Sequence, residues 1–223
     1  MKKRILGILL TMALIIGLVT AFSFGAGATD DGEHSQHCVC GATHEAVGNH
    51  TEEEIINWVA WDGVSEISYD SNKTAYVYLA ADVALSERVF VQDNYNLYIC
   101  LNGHNISAAE EYEVSQYGAA FRLEGYADLT ITDCKNTVNE GYVDAQTGLW
   151  TPGTAEEEGD VTYNLSGGVI YGFNASGSYG TIYIPRGDLN LYGINIAGNK
   201  TSQGQIYLDN ALATARDLTL DEK

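Results

Sequence analysis

Three groups of side chains in this chain are of types and spacings that do chemistry. The first lies in residues 29–50, TDDGEHSQHCVCGATHEAVGNH. Thiolate and imidazole are the usual ligands of tetrahedral Zn²⁺, so Cys38, Cys40, His44 and His50 are a candidate zinc set. Bound metal would give folding energy to a polar segment that has no apolar period. One residue separates Cys38 from Cys40, closer than the two to four residues of common paired ligands, and a disulfide across so small a ring is strained. A flexible leader without metal is the other reading. The second group is Cys100 and Cys134. Each stands on the parity opposite to an apolar row: Leu97, Ile99 and Leu101 in one strand candidate, Leu129 and Ile131 in the other. If these strands are neighbours with a two-residue offset, the sulfurs meet and a disulfide would add about 2–4 kcal/mol. Otherwise the thiols pack as small apolar groups.

The third group is aromatic. Tyr142, Trp150 and Tyr163 lie in the acidic, turn-rich stretch 135–166, and Tyr183 and Tyr207 recur in matching phrases. All five are candidates for binding a glycan or protein. The competing readings are a mobile acidic loop without a ligand and ordinary ladder stacking. The acids of 135–166 leave calcium open, although no EF-hand spacing appears. No catalytic residue is assigned. Asp128, Asp188 and Asp217 open a repeated phrase at a turn position that favours aspartate. Asp133 and the turn residue His104 have no evident partner in the sequence.

The elements that must hold these groups are short strands. Gly180, Ile182, Tyr183 and Ile184 recur as Gly204, Ile206, Tyr207 and Leu208, and Asp-Leu-Thr-Ile at 128 returns as Asp-Leu-Asn-Leu at 188 and Asp-Leu-Thr-Leu at 217. Alternating strands, Gly/Asn/Ser turns and a period in the low twenties predict a solenoid of β-coils. One coil cannot bury its apolar row alone; stacked coils bury it as a column. Strands are expected at Tyr76–Leu79, Val89–Val91, Leu97–Leu101, Ala119–Leu123 and Leu129–Thr132.

The phrases NLYICLNGHNIS, ADLTITDCKN and GGVIYG…GTIYI…GDLNLYGINIAGN resemble those of secreted bacterial right-handed parallel β-helix proteins of pectate-lyase-like architecture. The similarity spans residues 75 to 223 and is greatest to the non-catalytic surface and adhesin-like members. It implies an all-β, right-handed parallel β-helix over residues 64–223, with a long loop at 135–166. It further implies an extracellular glycan or host protein as partner. A Cys-x-Cys-Gly leader with histidines precedes the helix in the resembling proteins too. The alternative is a polysaccharide lyase or glycoside hydrolase on the same fold. The grouped Asn-Thr-Asp, Asp-Asp, Gly-His-Gly and Arg-Ile-Lys phrases of polygalacturonase-like hydrolases are absent.

Residues 1–28 read as a secretory signal peptide: Met-Lys-Lys-Arg, an apolar run, then Ala26-Gly27-Ala28. This predicts a secreted or cell-surface protein, with an uncleaved membrane anchor as the alternative. Cleavage removes Lys2, Lys3 and Arg4, leaving 8 of 11 basic residues against 30 acids, a net charge of −22 (8 − 30). Such a charge argues against nucleic acid and, unless calcium intervenes, against anionic polysaccharides as partners. Thr51 and Glu54 have capping-box spacing, so residues 51–63 are expected to form a short helix that seals the first coil with Trp58 and Trp61. The last phrase, from Ala215, begins a coil and stops. That predicts an incomplete C-terminal coil, continued in a longer protein or covered by association.

Overall fold

The computed structural model describes residues 34, 56–112, 116–216 and 218–220. The stretch 1–28 expected to be a signal peptide lies outside them, as do Cys38, Cys40, His44 and His50.

Strict alternation decides the strands. In Thr74–Leu79, Ala75, Val77 and Leu79 are buried while Thr74, Tyr76 and Tyr78 are half-buried. Asn96–Cys100 and Asp188–Tyr192 likewise turn Leu97 and Ile99, and Leu189 and Leu191, into the core. A two-residue period places such rows on one face of a pleated strand, where burial stabilises each leucine or isoleucine by about 1.5–3 kcal/mol.

The described residues are all-β, without a helix. Their larger sheets are parallel. The first runs Val59–Trp61, Thr74–Leu79, Asn96–Cys100, Asp128–Thr132, Asp188–Tyr192, Leu212–Arg216. The second runs Val83–Leu85, Ile106–Ala108, Val169–Tyr171, Asn195–Ile196, Thr219–Leu220. The third runs Val89–Val91, Phe121–Leu123, Ile182–Ile184, Ile206–Leu208. From Thr74 the chain visits first, second and third sheets in fixed rotation, so a strand's hydrogen-bonded neighbour comes from the previous or next round.

Register stacks like on like. Leu97, Leu129 and Leu189 pair in succession, as do Ile99, Ile131 and Leu191. Ile106, Ile170 and Ile196 align in the second sheet, and Phe121, Ile182 and Ile206 in the third. All three sheets contribute to one buried apolar cluster. Corner residues bond between rounds: the Asn199 side chain donates to the Ile170 carbonyl (2.8 Å) and accepts from the Phe173 N–H (3.0 Å). Such pairing is required of a polar group with no access to water.

Two expectations need correction. The helix over 51–63 is not present in the described part of that range, which begins at 56. Val59–Trp61 is instead a strand, parallel to Thr74–Leu79, with Val59 opposite Val77 and Trp61 opposite Leu79. A local capping signal at Thr51 and Glu54 says nothing of this distant edge, whose unpaired backbone groups recruit a strand. Trp61 still enters the core, and its indole N–H donates to the Ser65 carbonyl at 2.9 Å.

The stretch 135–166, expected as a long loop, also carries strands of its own. Val138–Asn139 pairs antiparallel with Leu165–Ser166, and Gly141–Val143 pairs antiparallel with Trp150–Pro152 and Val161–Thr162. Trp150, Leu165, Val169 and Ala197 form a small core beneath this excursion.

Candidate functional site

The third sheet gives the strongest candidate. Its inward residues are Val91, Phe121, Leu123, Ile182 and Ile184. The same alternation sends Phe90, Arg122, Tyr183 and Tyr207 outward, paired in register across four strands. Parallel strands lie about 4.8 Å apart, so this row extends about 14 Å. Tyr183 and Tyr207 stack nearly parallel, with centroids 5.7 Å apart and planes 8° from one another. Tyr179 leans on Tyr207 at 5.3 Å, and Tyr117 on Tyr183 at 5.3 Å. The Arg122 guanidinium lies over Tyr117 (5.0 Å) and Phe90 (5.6 Å). Phe90 is 42% exposed and the four tyrosines are half-buried, so the rings form a platform open to solvent.

The platform combines apolar ring faces, phenol hydroxyls and one cation. The Tyr179 hydroxyl accepts from the Gln116 side chain at 3.0 Å, which fixes its position. Burial, and then the Asp209 carboxylate, push the Tyr183 phenol up, so it stays neutral at physiological pH. Neutral rings with donor and acceptor hydroxyls at their rims suit a partner with both apolar faces and hydroxyls.

The aromatics of the excursion behave differently. Trp150 is 3% exposed, and its indole N–H donates to the Tyr163 carbonyl at 2.7 Å. It lies edge-on to Tyr171 with centroids 5.7 Å apart. Trp150 is therefore a core residue of the excursion and presents no surface. Tyr142 is half-buried on Gly141–Val143; partial burial, then the carboxylates of Asp160 and Asp144, raise its phenol. Tyr163 is 50% exposed and lines a cavity of about 350 Å³ with Asn136, Gly193 and Thr219. The structure thus brings Tyr183 and Tyr207 together and leaves Tyr142, Trp150 and Tyr163 apart from them.

The other two groups also find places. Cys100 pairs in register with Thr132, which puts Cys134 two residues beyond, and the sulfurs lie 3.5 Å apart. That is contact distance and exceeds the ~2.05 Å of a disulfide. Burial, then the Cys134 sulfur, push the Cys100 thiol up. His104 is partnered after all: its Nδ1 lies 3.4 Å from Asp82 Oδ1.

Asp133 is partnered too, entirely by backbone. Its carboxylate accepts from the N–H of Gly103 (2.9 Å), Lys135 (2.8 Å) and Gly168. The donors come from the previous round and from either side of the excursion, so one carboxylate clamps the excursion's neck. Burial, working against those three N–H groups, pushes its carboxyl up to about 6. Asn102 and Gly103 form the turn it grips, with φ of 52° and 79°. Asparagine and glycine are the residues that tolerate that left-handed backbone.

Sequence reasoning missed Arg122, Tyr117 and Tyr179. No sequence signal pointed to them: Arg122 aligns with Tyr183 only through the pairing of Phe121 with Ile182 across the excursion. Comparison with protein-family models, curated proteins and solved structures finds no match for this chain.

Proposed function

We propose that this chain is a secreted, non-catalytic right-handed parallel β-helix module that binds an uncharged extracellular glycan in the manner of a surface adhesin. The observation that carries the reading is the in-register platform of Tyr183 and Tyr207, flanked by Tyr117, Tyr179 and Arg122. Sugar rings offer C–H faces that stack on aromatic rings and hydroxyls that meet phenols and guanidinium.

The fixed rotation through three parallel sheets supports the helical part of the reading, since only a spiral path keeps successive rounds in one register. The Met-Lys-Lys-Arg start and apolar run support secretion. The acidic balance favours a neutral glycan over an anionic one. A platform on the outside of a stiff scaffold also suits binding without a large ordering cost, because the rings are already stacked.

The test is calorimetric titration of neutral and acidic oligosaccharides into the mature protein, with product analysis for cleavage. Binding of a neutral glycan that weakens at least tenfold in Tyr183→Ala is the expected result. Turnover of any glycan, or affinity indifferent to that substitution, would overturn the reading.

A further inference from the structure

We propose that His34, Cys100 and Cys134 form a site for a divalent transition metal, with Zn²⁺ as the ion whose preferences they fit. The site lies on the outer face of the first sheet. It does not involve the aromatic platform of the third sheet.

The geometry comes from the register. Tyr78, Cys100 and Thr132 pair in succession on the outward row of the first sheet. The chain passes two residues further and places Cys134 beside Cys100, with the sulfurs 3.5 Å apart. His34 lies flat on Tyr78, with ring centroids 4.2 Å apart and planes 9° from parallel, and meets Trp58 edge-on at 5.9 Å. Tyr78 pairs with Cys100, so this stack sets the imidazole above the thiol row. One ligand atom from each of His34, Cys100 and Cys134 lies within 4.8 Å of the others.

Zinc bonds of about 2.3 Å to sulfur and 2.0–2.1 Å to nitrogen require S···S near 3.8 Å and S···N near 3.5 Å at tetrahedral angles. The sulfurs are already within a few tenths of an ångström of that separation, and a small shift of the ring supplies the nitrogen. Two thiolates and an imidazole select zinc and its soft neighbours over calcium or magnesium, which prefer oxygen ligands. Among the described residues the site offers three protein ligands, one fewer than the four of a tetrahedral zinc centre.

The surroundings hold the ligands in place, as metal sites require. The Asn102 side chain donates to the Leu79 carbonyl (3.1 Å), and its oxygen lies 3.7 Å from the Cys134 sulfur. Asp133, adjacent to Cys134, is pinned by its three backbone N–H donors. Thr132, the register partner of Cys100, has a fully buried hydroxyl with no hydrogen-bond partner among the described residues. A metal-bound thiolate is the kind of acceptor such a hydroxyl can turn to.

The test measures zinc per chain in the mature protein, with Cys134→Ser and His34→Gln compared after equilibration in buffered Zn²⁺. One equivalent of zinc in the parent, with affinity at least tenfold weaker in each variant, is expected. Cys134 is only half-buried, so its variant should fold; circular dichroism checks this. Replacing zinc with Co²⁺ should give a thiolate-to-cobalt charge-transfer band in the parent that Cys134→Ser lacks. Zinc retained in Cys134→Ser, cobalt bound without that band, or a Cys100–Cys134 disulfide mapped in the non-reduced chain would each overturn the assignment.

Discussion

The excursion at 138–166 and the third sheet carry the same kind of side chain and put it to opposite uses. In the excursion, antiparallel strands fold over Trp150, bury it and satisfy its indole with a carbonyl. On the third sheet, parallel strands from different rounds hold Tyr183 and Tyr207 in register on the solvent side, stacked upon one another. An aromatic ring becomes a surface feature when its strand already has an inward apolar row. Ile182 and Ile184 supply the core there, so Tyr183 is left for the outside. The excursion's own strands carry no such row, and its tryptophan packs with Leu165, Val169 and Ala197 as core. Aromatic content alone therefore says little about binding; the parity of the ring against its strand's buried face says more.

That contrast can be broken by substitution. Trp150→Ala should have the largest effect, costing about 3–5 kcal/mol by emptying the small core of the excursion. Urea unfolding should show the loss, while glycan affinity stays unchanged in protein that remains folded. Asp133→Ala comes next, at about 3 kcal/mol, because it leaves the buried N–H groups of Gly103 and Gly168 without their acceptor. Limited proteolysis should then cut first within 135–166.

The platform should show the reverse pattern. Tyr183→Ala or Tyr207→Ala should reduce glycan affinity at least tenfold, or about 1.4 kcal/mol, with stability changed by less than about 1 kcal/mol. Tyr142→Ala is expected to leave affinity where it was, measured by the same titration.

The smallest effect concerns pH. The exposed Asp62 carboxylate accepts from the backbone N–H groups of Ser65 and Val64, which hold it down at about 2, below its ordinary value of 3.8. A carboxyl lowered on folding contributes stability that is present above the unfolded value and lost as pH falls through the folded one. Asp62→Asn should therefore flatten the stability profile slightly between about pH 4 and pH 2, read from urea midpoints.

Much of the strand pattern was legible in the sequence, because alternation is local. The matched phrases at Ile182 and Ile206 identified strands that do pair in register, with Ile182 fully buried. Parity allowed Cys100 and Cys134 to meet only if their strands were neighbours offset by two residues, a condition that the register supplies and the sequence does not. What escaped depended on distant backbone. Val59–Trp61 reads as a helix from its own neighbourhood and becomes a strand only through the pairing of Val59 with Val77. Asp133 was without an evident partner because its donors are main-chain N–H groups, which no residue type announces. The platform was half legible. Tyr183 and Tyr207 recur in matching phrases, but Arg122 joins them only across the excursion, where the repeat spacing is interrupted.

The most direct test of the platform is one titration of a neutral oligosaccharide into the protein lacking residues 1–28 and into a Tyr183→Ala/Tyr207→Ala double variant of equal thermal stability. The account predicts measurable binding in the first and none in the second at the same concentrations. Equal affinity in the two would contradict it, and would show that the aligned tyrosines serve only to hold neighbouring rounds together.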